Sequence, residues 1–249
     1  MAEVISFAPG GYRYIKAVFQ YSSGVAAEPG FAIERARLKK PMPLREGFAA
    51  VEAHLRSLGR PTAAFCACEL RSPAPFTEQG FYEFNRHYVE TLERWGIYRD
   101  GDNPVARTNV CPLHEPPAAP SLYAFSYTVP AAPGLQGGFV IAGSGETQSG
   151  ATARERIVAY GDTSPPGMAT KMRHVMAEME RRLAAFRLSW KDAAETQAYT
   201  VQDIGALIEP IVVRRGAARG GLTWHFARPP IVDLEFEMDV RAPAREIML

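Results

Sequence analysis

The chain contains the same order of predicted elements twice, and this internal repeat limits its fold more than any other feature. Each half reads strand, strand, helix, strand, helix, strand, strand. The Pro-, Ala- and Gly-rich stretch PAAPGLQGG (130–138) lies between the halves and places a boundary near residue 132. At 249 residues the chain is long enough for two domains, each with its own hydrophobic core. We therefore predict two domains, residues 1–132 and 133–249.

Apolar residues at helical spacing predict two helices in each half. In the second half, Pro210 is expected to kink or shorten the last helix, because proline lacks an amide hydrogen. The four stripes are Phe48, Val51, Leu55 and Leu58; Phe81, Phe84, Tyr88, Leu92 and Trp95; Met172, Val175, Met176, Met179, Leu183 and Phe186; and Ile204, Leu207, Ile208, Ile211 and Val212.

Runs of β-branched, aromatic or alternating residues predict the strands. Because strands outnumber helices, the expected fold class is α+β, with each domain a mostly antiparallel sheet covered on one face by two helices. The predicted strands are RYIKAVFQY, FAIERARL, TAAFCACEL, VARTNVCPL and YAFSYTV in the first half, and GFVIAG, RERIVAY, DAAETQAYTV, LTWHFA and VDLEFEMDV in the second.

Composition excludes several classes of partner. Apolar residues make up 47% of the chain, and the formal net charge is +1 with scattered basic residues, so we expect no nucleic-acid partner. The sequence has neither an apolar run long enough for a bilayer nor a signal peptide, which predicts a cytoplasmic protein without a membrane partner. Cys66, Cys68 and Cys111 are expected to be reduced, and without a second Cys or His pair we predict no metal site.

Six motifs resemble the RidA (YjgF/YER057c/UK114) family of imine and enamine deaminases. They are FQYSSG, FYEFNRHY and NPVARTNV in the first half, and FVIAGSGET, KMRHVMAEMERRL and VDLEFEMDV in the second. The resemblance spans nearly the whole chain and implies two tandem RidA/chorismate mutase-like domains. It also implies cofactor-independent hydrolysis of a small carboxylate-bearing imine, enamine or aminomuconate-like substrate, and a homo-oligomer, with a trimer among the arrangements.

The resemblance also assigns two catalytic residues. In the family, an arginine on the penultimate strand grips the substrate carboxylate and a glutamate on the last strand lies near the attacking water. Arg107 occupies the arginine position in the first half, and the second half has Gly221 there. Glu235 occupies the glutamate position in the second half, and the first half has Phe125 there. An arginine suits this role because its planar fork binds a carboxylate in two places. We therefore expect one composite site, shared between the halves.

Eight further residues are predicted to bind substrate. Each also has an ordinary structural interpretation, as a surface polar residue, a tight turn or a buried small residue. Glu237 shares a strand face with Glu235 by alternation, and the plain interpretation of that face is a solvated acidic edge. The substrate-binding candidates are Tyr14, Ser23, Gly24, Asn85, Asn109, Cys111, Ser144 and Glu146.

Two other functions stay open at this point. Chorismatases also look like two such domains in tandem, so the chain could act on chorismate or a related cyclic carboxylate, although it is shorter than those enzymes. The third possibility is a non-catalytic ligand-binding or regulatory protein, since a fold does not by itself imply activity. An exposed Arg107 with no cavity beside it would favour that outcome.

Overall fold

The apolar stripes of the first half form two long helices in the computed structural model, which describes residues 3–249. Helix α1 spans Leu44–Ser57 and α2 spans Glu78–Arg94. The Thr77 hydroxyl accepts a hydrogen bond from the Gly80 amide and so caps the start of α2. The strands of this half are β1 Val4–Phe7, β2 Tyr12–Ile15, β3 Gly24–Ala27, β4 Phe31–Pro43, β5 Phe65–Arg71, β6 Ala106–Pro112 and β7 Ser121–Pro130.

The second half contains one long helix. Helix α4 spans Pro165–Ala185 and packs its apolar stripe on the sheet. The other predicted helix is short, because Pro210 interrupts it: α5 Gly205–Leu207 continues into a π-helical turn at Ile208–Val213. The remaining elements are β8 Phe139–Gly145, α3 Ala153–Arg156, β9 Glu195–Tyr199, β10 Leu222–His225, β11 Ala227–Arg228, β12 Glu237–Ala242 and β13 Arg245–Met248.

Some strand predictions were wrong. RERIVAY is not a strand, because Thr152 and Glu155 form a reciprocal capping box that starts α3 there. Only the first three residues of RYIKAVFQY lie in a strand, which is β2, and VDLEFEMDV enters a strand only at Glu237. The sequence patterns did not indicate β13, at the end of the chain.

The strands form two sheets, and each sheet takes strands from both halves of the chain. The order in the seven-stranded sheet is β1-β2-β3-β8-β12-β9-β10, and in the six-stranded sheet it is β11-β6-β5-β7-β4-β13. Most neighbours are antiparallel, which confirms the predicted α+β class; the parallel pairs are β5 with β6, β9 with β10 and β4 with β13. The boundary near residue 132 does not separate the sheets, and the duplication itself stays a prediction.

The two sheets pack face to face with helices outside. Helices α1 and α2 cover the six-stranded sheet, and α4 with the π-helical turn covers the seven-stranded one. The inner layer contains Tyr12 and Val140 from one sheet and Ile33 and Ala106 from the other. This layer brings β6 of the first half close to β8 of the second. The candidate site lies beside that contact.

The three cysteines have free, buried thiols. Regular alternation along β5 would place Cys66 and Cys68 on the same face, but the register of β5 against β7 shifts between Phe65 and Ala67. Cys66 therefore packs between the sheets, whereas Cys68 packs towards the helices. Burial raises the pKa of the Cys68 thiol to about 12. These thiols are packed as small apolar groups.

None of the helices within residues 3–249 has both the length and the apolarity needed to cross a bilayer.

A buried carboxylate connects the two sheets. Glu69 on β5 accepts hydrogen bonds from Arg35 Nε at 2.6 Å and Nη2 at 2.9 Å, and it also pairs with Arg241 on β12. Arg241 in turn lies 2.5 Å from Asp239, which accepts a hydrogen bond from the Tyr199 hydroxyl. Burial alone would raise the pKa of Glu69, but Arg241 and Arg35 lower it below its ordinary value. The network therefore holds charged groups of both halves inside the protein.

Replacing Glu69 with alanine is expected to lower the free energy of unfolding by roughly 3–5 kcal/mol. The reason is that Arg35 and Arg241 would stay buried without the carboxylate that they share. Urea denaturation measures the change. The matched control is Glu209→Ala, which removes a carboxylate from the exposed pair with Arg214 and should change stability little. Equal losses in the two variants would contradict a stabilising role for the buried network.

Candidate active site

A polar cavity of about 150 Å³ lies where the two halves meet, and we call it the Arg107 pocket. Strand β6 of the first half contributes Arg107 and Asn109, whereas β8 and β12 of the second half contribute Ser144 and Glu237. The polar side chains of its lining are Tyr21, Arg107, Asn109, Ser144, Thr147, Arg182 and Glu237. The pocket therefore contains two guanidinium groups and one carboxyl group.

Arg107 is a buried cation without a hydrogen-bond acceptor. Its side chain is 3% exposed, and neither Nη1 nor Nη2 has a partner among the described residues. Its guanidinium carbon lies 4.6–5.6 Å from the ring centres of four aromatic residues, which attract the charge through their π faces. The four residues are Tyr21, Phe81, Phe84 and Tyr88. A carboxylate ligand would supply the missing acceptors.

Asn109 adds another unused donor two residues further along β6. Its Oδ1 accepts a hydrogen bond from the Ser72 hydroxyl at 2.9 Å, which leaves the Nδ2 group to face away from that contact. Within residues 3–249, Nδ2 is buried without a partner. Arg107 and Asn109 lie on the same face of β6, because side chains alternate along a strand. Together they form a donor set suited to a carboxylate.

Glu237 is the buried acid of the Arg107 pocket. It is the first residue of β12 and only 4% exposed. Burial raises its pKa well above the ordinary value, and the charges of Asp239 and Glu146 raise it further, whereas Arg107 and Arg182 partly oppose this. Burial and the neighbouring acids thus favour the neutral form of Glu237, which is the form that can donate a proton.

A glycine makes room for that carboxyl group. A Cβ atom at Gly143 of β8 would lie 2.2 Å from Glu237 Oε1 and 3.2 Å from its Cδ. No side chain fits at that distance, so the Glu237 carboxyl lies directly on the backbone of β8. This close approach fixes the position of the acid relative to the pocket.

Glu146 positions the start of β12 rather than lining the pocket. Its carboxylate is fully buried and accepts hydrogen bonds from the amides of Glu235 at 2.7 Å and Phe236 at 3.1 Å. Lys171 of α4, also fully buried, donates to the same carboxylate at 3.1 Å. All these contacts are to the scaffold. Glu146 is not part of the pocket lining, and its contact with substrate stays a prediction.

Arg182 holds the end of β8 in place. Its Nη1 donates to the Ala142 carbonyl at 3.0 Å, Nη2 donates to the Ser144 hydroxyl at 3.1 Å, and Nε donates to Glu178 at 2.6 Å. Most of its donors are therefore already used. Arg182 contributes positive charge to the pocket and orients Ser144.

The structure brings together three of the predicted site residues: Arg107, Asn109 and Ser144 line one pocket. The other candidates lie outside that lining. Tyr14 donates a hydrogen bond to Asp102 at 2.6 Å and lines a separate depression.

Asn85, Ser23, Gly24 and Cys111 also have structural surroundings. Asn85 lies inside α2 and donates to the Phe81 carbonyl at 2.6 Å, so it is not on the helix surface. The Ser23 carbonyl accepts from the Ala142 amide, and Gly24 pairs with Ile141, so both residues connect β3 to β8. Cys111 is buried on β6 beside Arg228. These residues build the frame around the pocket.

Glu235 lies outside the pocket lining that contains Glu237. Its side chain accepts a hydrogen bond from Gln202 at 2.9 Å and is half-buried. The sequence expectation assumed an extended strand from residue 232, but the strand begins only at Glu237, so the alternation does not extend back to Glu235. The expected solvated acidic face is also wrong for Glu237, which is buried. The catalytic role of Glu235 stays a prediction, and Glu237 is the acid that the structure places in the lining of the Arg107 pocket.

A larger groove of about 470 Å³ lies on the outer surface between α1 and α2. Several of its polar residues have partners: Glu52 accepts from Trp95 at 2.6 Å, and Arg94 donates to Thr91 at 2.9 Å. None of the buried unpaired polar atoms found in residues 3–249 belongs to its lining. The chemistry therefore favours the smaller Arg107 pocket. In that same part of the chain, no group of three His, Cys, Asp or Glu residues is arranged to hold a metal ion.

Comparison with known proteins identifies the family. The family model of 2-aminomuconate deaminase CnbZ matches residues 4–247. The 2-amino-5-chloromuconate deaminase of Comamonas testosteroni is 57% identical over 251 residues, which cover 100% of both chains.

Two solved structures show weaker resemblance. A chorismatase has a TM-score of 0.47 at 12% identity, covering 92% of this chain and 79% of its own. A Rid-family protein of unknown function from Yersinia pestis has a TM-score of 0.32 at 18% identity, covering 43% of this chain and 77% of its own. Both scores are low, so the assignment rests on the two sequence matches. The chain belongs to the CnbZ family of 2-aminomuconate deaminases, which confirms the deaminase predicted from its sequence.

Proposed function

We propose that the protein hydrolyses 2-aminomuconate, or a ring-cleavage product like it, to a 2-oxo dicarboxylate and ammonia in the Arg107 pocket. The observation that carries this proposal is the buried Arg107 guanidinium, which has no acceptor and shares a pocket with the acid Glu237. The substrate carries a carboxylate beside its amino-bearing carbon. That carboxylate matches the unused donors of Arg107 and Asn109.

Binding at Arg107 would fix the reacting carbon next to Glu237. The carboxylate and the amino-bearing carbon are directly bonded, so an anchor on one orients the other. The four rings around Arg107 keep the guanidinium in place and keep water away from it. In this dry surrounding, the ion pair between Arg107 and the substrate is stronger than it would be in water.

Glu237 would supply and recover the protons of the reaction. The protonated acid donates to the enamine carbon adjacent to the amino-bearing carbon, which converts the enamine into an iminium and leaves Glu237 as a carboxylate. That carboxylate accepts a proton from the water that attacks the iminium carbon, which gives a carbinolamine. Glu237 then protonates the amine, the C–N bond breaks, and the new carbonyl returns its proton to Glu237. The net reaction is enamine plus water to ketone plus ammonia, and it uses no cofactor.

The proposed site is composite, as the resemblance implied. Arg107 belongs to the first half of the chain and Glu237 to the second, which is consistent with two RidA-like copies that have kept different functional residues. The homo-oligomer and the trimer stay predictions.

The alternative functions have less support. The resemblance to a chorismatase is too low to carry an argument, whereas both sequence matches are to deaminases. A non-catalytic role was expected to leave Arg107 exposed without a cavity, but Arg107 is buried beside one. Incubation with chorismate, followed by chromatography, separates the two enzyme activities.

Arg107→Met is expected to lower kcat/KM for 2-aminomuconate by about 10²–10³-fold, because the substrate carboxylate loses its charged partner. The same change should leave the free energy of unfolding equal or higher, since it removes an unpaired buried charge. Ammonia release and thermal unfolding measure the two effects. Arg86→Gln, an exposed arginine on α2, is the matched control and should keep wild-type activity. Wild-type kcat/KM in Arg107→Met would overturn the proposal.

Glu237→Gln is expected to abolish most activity and to become more stable than the wild type as the pH rises above the ordinary pKa of a glutamate. Folding raises the pKa of Glu237. The stability that its neutral form contributes to the wild type is therefore fully present below the ordinary value of 4.5, and it is lost as the pH rises through the raised pKa. Glutamine cannot ionise, so the stability gap between variant and wild type should widen with pH. Wild-type kcat/KM should fall over the same range, as the acid loses its proton.

Glu235→Gln is the comparison that decides between the two acids. It changes a neighbouring carboxylate in the same way, and it should keep both the activity and the pH profile of the wild type. If Glu235→Gln lost activity and Glu237→Gln kept it, the catalytic role would return to Glu235.

A further inference from the structure

A second cavity of about 290 Å³ adjoins the Arg107 pocket, and we call it the distal cavity. The two cavities share Thr147, Ile231 and Leu234 in their linings. The distal cavity is mostly apolar, with Ile157 on its wall. Its cationic residue is Arg156, at the end of α3. Its carboxylates are Glu78 and Asp233, and Asp233 accepts a hydrogen bond from the Tyr160 hydroxyl. A molecule anchored at Arg107 could therefore extend into the distal cavity.

Arg156 is paired with a carboxylate that is easily displaced. Its Nη2 contacts the Glu78 carboxylate, and Nη1 donates to the Ala151 carbonyl at 2.7 Å. The side chain of Glu78 is 62% exposed and that of Arg156 is 32% exposed. An exposed ion pair of this kind contributes little stability, about 0–1 kcal/mol. Exchanging Glu78 for another carboxylate would therefore cost little.

The location of Glu78 also favours an incoming anion. Glu78 is the first residue of α2, a helix of 17 residues, so the partial positive charge of that helix end adds to the charge of Arg156. Arg182, the other arginine near these cavities, has its Nε, Nη1 and Nη2 groups bonded to Glu178, Ala142 and Ser144. Arg156 is thus the better placed of the two to exchange its partner.

We propose that Arg156 binds the distal carboxylate of the substrate, and that Glu78 occupies this position until the substrate displaces it. The inference rests on the proposed function, because an aminomuconate carries a carboxylate at each end and Arg107 takes only one. The diene, and any substituent on its distal half, would lie against Ile157, Ile231 and Leu234. Dicarboxylates would then be preferred over monocarboxylates of the same chain.

Two unreactive ligands of equal chain length test this selectivity: muconate, which has two carboxylates, and sorbate, which has one. Calorimetry on the wild type should show tighter binding of muconate. Arg156→Gln should weaken muconate binding by about 10- to 100-fold, the worth of a hydrogen-bonded charge pair, and leave sorbate binding unchanged. It should raise KM for 2-aminomuconate by a similar factor, with little change in kcat.

Two further variants make the result specific. Glu78→Gln removes the competing carboxylate and should tighten muconate binding. Arg154→Gln changes an exposed arginine on the same short helix and should change neither ligand's affinity. Thermal unfolding checks that each variant is folded, and since Arg156 and Glu78 are both partly exposed, their replacement tests binding rather than folding.

The outcomes separate this inference from the proposed function. If Arg107→Met impairs the reaction while Arg156→Gln leaves muconate affinity and KM unchanged, the distal subsite is wrong and the proposed function stands. If Arg107→Met has no effect on the reaction, the proposed function itself fails. A wild type that binds sorbate as tightly as muconate would also overturn the distal subsite.

Discussion

The guanidinium of Arg107 is buried without an acidic partner, and the organisation of the site depends on this imbalance. An arginine stays charged inside a protein, and removing that charge from water costs several kcal/mol unless other groups compensate. Four aromatic rings supply part of the compensation, but they offer no hydrogen-bond acceptor. The missing part is what a substrate carboxylate would provide. In the proposed complex, the substrate carboxylate would offset the free energy that it costs to bury Arg107, and this would favour binding at the reacting end of the substrate.

Burial, and after it the negative charge of neighbouring acids, raises the pKa of the acid that shares the pocket with Arg107. Glu146 and Asp239 both raise the pKa of Glu237, and both have partners of their own: Glu146 holds Lys171 and two amides, and Asp239 holds Arg241 and Tyr199. Of these three carboxyl groups, Glu237 is the one in the lining of the Arg107 pocket. Neighbouring acids thus have different surroundings: two are bonded to the scaffold, and the third is the proton donor that we propose.

The features that could be predicted from the sequence alone are those that depend on a local residue pattern. The helical stripes predicted α1, α2 and α4, and the motif VARTNV singled out Arg107 on β6. The sequence did not indicate the difference between Glu235 and Glu237, because that depends on where β12 starts. Glu146, distant in sequence, sets this start by binding the amides of residues 235 and 236. The bonds of Glu146 could not be predicted for the same reason, because its backbone partners lie about ninety residues further along the chain.

The position of the site follows from an incomplete strand pairing. Strand β11 has two residues and pairs only with Cys111 and Pro112 at the end of β6. The part of β6 that carries Arg107 and Asn109 is therefore not covered by β11, and this part approaches β8 of the other sheet. On β8, the register against β12 shifts beside Gly143, the residue whose missing side chain admits the Glu237 carboxyl. The edge of β6 that β11 leaves unpaired thus lies near the register shift between β8 and β12. Because each half supplies one of these features, neither half alone could form the pocket.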